Sequence, residues 1–211
     1  MKVLLLVLFF QYNGIQAACL PESELESFAV TKNNLMAEEV VQKFQSIILK
    51  ELPEEYDMVV NLEPMNPRVN AEIIKKDQVL SISVWGGMLS HPLLTEGTFS
   101  LLLCHEIGHF LGGPPLKSRN GWSSTEGQAD YFSTATCASA FGMRDHEFLE
   151  AALSLTKIYA DVSREPAPSL TRCDETVVSR TNFGYPKAQC RLDTLIAGWN
   201  GLKRPACWFL E

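Results

Sequence analysis

Apolar positions recur along this chain with three successive patterns, and the changes of pattern mark its parts. Residues 3–10 are apolar without a break, preceded by Met1-Lys2 and followed by the small residues of Gly14-Ile15-Gln16-Ala17-Ala18. That is the layout of a cleaved secretory signal over residues 1–18, and it is too short to span a membrane. Met36, Val40, Phe44, Ile47 and Ile48 then recur at helical spacing, with Asn33-Asn34 as a start signal and Pro53 as a stop. The period next falls to two. It predicts strands over 57–62, over 68–75 with Val69, Ala71 and Ile73 alternating, and over 78–85 with Leu80, Ile82 and Val84 alternating against Ser81 and Ser83. Pro64, Pro67 and Lys76-Asp77 fall where turns are needed. Helical spacing returns over 95–111, 125–141, 145–162 and 186–199, interrupted by a long loop over 163–184 that is rich in Pro, Ser and Thr. A helix, a small mixed sheet and a mostly helical second half predict an α+β fold in a single domain, residues 19–211.

Composition narrows the partners. The formal charge of −7 excludes nucleic acid and an anionic membrane surface as the main partner, since both would repel the chain. No transmembrane span is expected after the signal. An exported chain with six cysteines is expected to form disulfides, whose pairing spacing alone does not rank. The expected location is secreted or periplasmic. Cys19 directly follows Ala17-Ala18, so a lipid anchor on Cys19 is the alternative; Gln16, where a bacterial lipoprotein signal usually has leucine, favours simple cleavage.

The chemistry concentrates in residues 101–111, LLLCHEIGHFL. On a helix His105 and His109 lie one turn apart on one face and can bind one Zn²⁺, with Glu106 turned toward a water that the ion acidifies. Glu106 is then the general base that makes this water a nucleophile for a peptide carbonyl. Cys104 points about 100° away from His105 and reads as a packed or disulfide-bonded residue. A third ligand is required. One protease class supplies a third histidine a few residues on, but here Pro115 stands in that place and Gly112-Gly113-Pro114-Pro115 reads as a helix stop. Downstream, Glu126 and Asp130 lie four apart on the next helix. Glu126 is the preferred third ligand, with Asp130 orienting a ligating imidazole from behind. Ser123-x-x-Glu126 is also a capping box, and His146, His91 and Asp130 are the other ligand candidates.

His105-Glu106-Ile107-Gly108-His109 followed by Glu126-x-x-Ala129-Asp130 resembles the gluzincin metallopeptidases of the CAAX prenyl protease type and their small minigluzincin relatives. The resemblance covers roughly residues 98–195 as ordered motifs. It implies a zincin-like fold with the active site between the sheet and the helical half, and Glu126 as third zinc ligand. It also implies that the strand over 78–85 is the edge above the cleft. The family often carries a His-Pro pair and, shortly after, an arginine; here Tyr185-Pro186 and Arg191 are similar, with tyrosine replacing histidine. Tyr185 thereby becomes a candidate to steady the oxyanion, or else an aromatic packed at a helix start. Arg191 is a candidate to assist the oxyanion, to pair with Asp130 or to hold the site's shape. The expected function is that of an exported zinc endopeptidase acting on peptide or protein substrates. The alternatives are a non-catalytic zinc scaffold that binds or assembles envelope components, and a disulfide-stapled domain without metal.

Overall fold

The computed structural model describes residues 22–211, with side chains from residue 35 onward; the expected signal and Cys19 lie outside the described residues. The elements in order are α1 (Glu22–Ile48), β1 (Asp57–Glu63), β2 (Ala71–Lys76), β3 (Val79–Trp85), α2 (Gly86–Leu89), α3 (Glu96–Leu111), α4 (Glu126–Phe132), α5 (Asp145–Ser163) and α6 (Ala188–Trp199). The architecture is α+β, with six α-helices and a three-stranded mixed sheet among the described residues. None of these helices is long and apolar enough to cross a membrane.

The helix expected over 125–141 is realised as three consecutive geometries. α4 passes into a π-helical turn (Ser133–Cys137) and then a 3₁₀ turn (Ala138–Phe141), and Gly142 closes the run at φ 70°. α1 begins before the expected start at Asn33-Asn34, which lie inside it. Asparagine is a weak start signal, because its cost inside a helix is small enough for flanking helix formers to override.

β3 lies in the middle of the sheet, parallel to β1 and antiparallel to β2. Leu80, Ile82 and Val84 are fully buried on one face. Asp77 makes the β2–β3 turn at φ 53°, a left-handed conformation that aspartate tolerates. The central position of β3 corrects the expectation that 78–85 is the edge strand. The edges are β1 and β2, of which β2 lines the cleft, and one-face alternation looks the same in a central strand as in an edge strand.

α3 is the central helix, buried on every side from Thr98 to His109. Thr95 caps it by accepting from the Thr98 N–H at 3.2 Å. Phe99, Leu101, Leu103 and Ile107 join Phe44, Leu80, Ile82, Phe148 and Leu155 in one core. Each contributes roughly 1.5–3 kcal/mol by leaving water. Two disulfides reinforce this frame. Cys104–Cys137 ties α3 to the turn after α4, and Cys190–Cys207 ties α6 to the C-terminal segment. Cys173 is exposed and has no disulfide partner among the described residues.

Candidate metal centre and cleft

Gly108, the fourth residue of the motif, sets the distance between α3 and α4. A Cβ at that position would stand 2.8 Å from the Ala129 carbonyl oxygen and 3.1 Å from its Cα. Any side chain would therefore push α4 away. At the head of α4, Gly127 lies against Trp208, and the neighbouring Cys207 is held by its disulfide to α6. The start of α4 is thus fixed from both sides, and Glu126 projects from it toward α3.

There it meets both histidines. His105 Nε2 lies 3.3 Å from Glu126 Oε2, and His109 Nε2 lies 3.6 Å from Glu126 Oε1. One donor atom from each of the three residues falls within 4.8 Å of the others, and all three residues are buried. Tetrahedral zinc at its usual bond lengths places donors about 3.4 Å apart, so the spacing suits the ion. The remaining ring nitrogens are anchored. His105 Nδ1 is 2.8 Å from Asp130 Oδ1, and His109 Nδ1 is 2.8 Å from the Ser124 carbonyl oxygen. With a proton on each Nδ1, both Nε2 lone pairs face Glu126. Three protein donors leave a fourth position for water or substrate.

The capping-box alternative for Glu126 is overturned. Thr125 is the N-cap residue, without a side-chain cap bond, and the Ser123 hydroxyl turns to the Ser124 carbonyl oxygen at 3.4 Å. The other ligand candidates also stand apart. His91 sits beside Asp161 at 4.0 Å, and His146 is exposed at the start of α5. Asp130 lies behind His105 and outside the group of three donors.

Arg191 reaches from α6 to Asp130 through Nε at 2.7 Å and Nη2 at 2.9 Å, and its Nη2 is 3.8 Å from Glu126 Oε2. Its guanidinium also stacks 3.6 Å above the Tyr159 ring. So committed, Arg191 positions Asp130. Tyr185 sits on the rim of the cleft, 75% exposed.

The ionisation of the metal-free site follows from this packing. Burial opposes charge on His105, but Asp130 and Glu126 outweigh it and hold the imidazolium up to about pH 9. Burial and the charge on His105 lower His109 to about 4. Glu126 and Asp130 are buried as well, yet His105 and Arg191 keep both below the usual carboxylate range. Glu106 is raised to about 7 by burial, with Glu126 adding to the rise and His105 opposing it. Its carboxylate has no hydrogen bond or ion pair among the described residues and lines the cleft.

The cleft has a volume of about 350 Å³. β2 and the residues leading into it, Val69 to Ile73, form one wall, and Trp122, Tyr159 and Val162 form much of the rest. Two residues that sequence reasoning missed enter it. Lys117 places its Nζ 2.7 Å from Glu126 Oε1, and Tyr159 supplies a phenol from α5. Neither belongs to a motif, so neither gave a signal.

No family model, curated protein or solved structure matches this chain.

Proposed function

We propose that the chain is an exported zinc-dependent endopeptidase of the gluzincin type, with a zincin-like fold. Its motifs resemble those of the CAAX prenyl protease and minigluzincin group. The observation that carries this reading is the convergence of His105, His109 and Glu126 beside a free Glu106 carboxylate, inside a cleft edged by β2. Zinc, when bound, supplies a Lewis acid that acidifies a water and polarises a carbonyl. The residues divide the remaining work. His105 and His109 offer Nε2, because Asp130 and the Ser124 carbonyl hold the opposite nitrogens. Glu106 takes a proton from the attacking water and returns it to the leaving amine. The outer edge of β2 pairs with the main chain of an extended peptide, which favours peptides and unfolded segments as substrates.

A specific observation favours a second reading. Lys117 and Arg191 already balance Glu126 and Asp130 in the metal-free protein, so the same residues can serve as an ion-pair network that joins α3, α4 and α6. Replacing Glu106 separates the two. Under the peptidase reading, Glu106→Gln keeps one zinc per chain and loses about 10²- to 10⁴-fold in cleavage of unfolded proteins. A metal-free network, or a zinc scaffold without catalysis, predicts no cleavage by the wild type against a broad panel of unfolded proteins.

A further inference from the structure

Among the described residues that line the cleft, Lys117 and Arg191 are the permanent cations. Arg191 is buried and committed to Asp130, whereas the Lys117 side chain is 40% exposed. The backbone at the root of that side chain is pinned. Leu116 bridges to Ser124, the Lys117 N–H donates to the Ser123 carbonyl oxygen at 2.7 Å, and the Thr125 N–H donates to the Pro115 carbonyl oxygen at 2.9 Å. Lys117 is thus held beside Glu126 by its backbone, while a flexible four-carbon stem leaves the ammonium free to turn.

In the metal-free protein that ammonium donates to Glu126 Oε1 at 2.7 Å. The pairing weakens once Glu126 serves as a metal ligand. The carboxylate then gives its charge to a doubly positive ion, and the ammonium stands a few ångströms from that ion in a cleft that screens charge less than water does. Repulsion turns the ammonium away from Glu126, and its three donors need an acceptor elsewhere in the cleft.

We propose that Lys117 is a specificity residue: released from Glu126 by the metal, it binds a carboxylate of the substrate near the scissile bond, either an acidic side chain or a free C-terminus. The inference rests on the peptidase reading of the cleft and narrows its substrates to peptides with an anionic group at one defined position. The position is single because Lys117 occupies one place on the wall. Glu72, half-buried on β2, lines the same cleft and repels anions from its own side.

The test measures the affinity of the zinc-loaded protein for pairs of phosphinic peptides. The phosphinate mimics the tetrahedral intermediate and does not require turnover. Members of a pair differ by Asp against Asn on one side of the phosphinate or the other, or by a free C-terminus against its amide. Wild type, Lys117→Met and Lys117→Arg are compared, each first shown to hold one zinc. In the wild type one pair should favour the carboxylate by roughly 5- to 30-fold, the range of a charge-assisted hydrogen bond reduced for partial exposure. That preference should vanish in Lys117→Met and return in Lys117→Arg, which keeps the charge and the donors. The pair that shows it identifies the carboxylate as side chain or C-terminus. Equal affinities within every pair, as a lysine turned to Glu106 or Glu72 would give, overturn the inference and leave the peptidase reading standing. A preference that is the same at all positions, or that survives in Lys117→Met, belongs to the field of the metal and also overturns it. Failure of the zinc-loaded wild type to bind any of the peptides brings down the peptidase reading and the inference together.

Discussion

Asparagine at position 130 keeps the shape of the side chain and removes its charge, so Asp130→Asn isolates what that charge contributes. Asp130 is completely buried and accepts from Arg191 Nε at 2.7 Å, from Arg191 Nη2 at 2.9 Å and from His105 Nδ1 at 2.8 Å. Without the charge, Arg191 is left 5% exposed, with Glu126 at 3.8 Å as its nearest remaining anion. Removing one partner of a buried pair costs about 3–5 kcal/mol. At about 2–4 °C per kcal/mol for a chain of this size, the metal-free protein should melt roughly 6–20 °C lower. The imidazole of His105 also exchanges a charged acceptor for a neutral amide oxygen, which should weaken zinc binding about 10- to 100-fold. Thermal unfolding in chelator reads the first effect, and competition against a chromophoric chelator at neutral pH reads the second. Pairing the change with Arg191→Met removes both buried charges, so the double variant should melt higher than Asp130→Asn alone. A single variant that melts with the wild type and binds zinc as tightly would refute the role given to this carboxylate.

Further outcomes follow from the same geometry. His105 stays protonated to about pH 9 in the metal-free protein, where Asp130 and Glu126 overcome the effect of burial, so zinc must expel that proton. Zinc affinity should rise about tenfold per pH unit from neutrality and level off above roughly pH 9, as chelator competition across pH would show. The same raised pKa stabilises the metal-free fold fully below 6.5, and that contribution is lost as pH rises through about 9. Lys117→Met removes a cation that competes for Glu126, and zinc affinity should increase by about three- to tenfold, a modest gain because the lysine is partly solvated. Cys190→Ser with Cys207→Ser frees the segment that presses Trp208 onto Gly127; the closed loop is worth about 3 kcal/mol, and zinc affinity should fall along with the melting temperature.

Local periodicity made much of the fold legible. The apolar spacing of α3 and α5 and the alternation of β3 place those elements within a few residues of their observed bounds. What depends on contacts distant in sequence was not legible. β1 passes over β2 to pair with β3, and no pattern within a single strand records which neighbours it will have. The passage of α4 into a π-helical turn likewise has no distinct residue signature. At the site, His105, Glu106 and His109 share a helix, so their spacing alone placed them together. Glu126 required a resemblance to choose it over a cap, because its position depends on how closely α4 approaches Gly108. Tyr159 reads in sequence as one more residue of an amphipathic helix, and only the unpartnered state of its hydroxyl distinguishes it. Lys117 comes from a loop whose path spacing does not record.

The most direct test of the account is a zinc titration of metal-free protein with cleavage of an unfolded protein as the readout. Cleavage should rise linearly and break at one equivalent of zinc, and Glu126→Ala should remove that break. Absence of cleavage by the wild type at any zinc level, or a break that persists unchanged in Glu126→Ala, would contradict it.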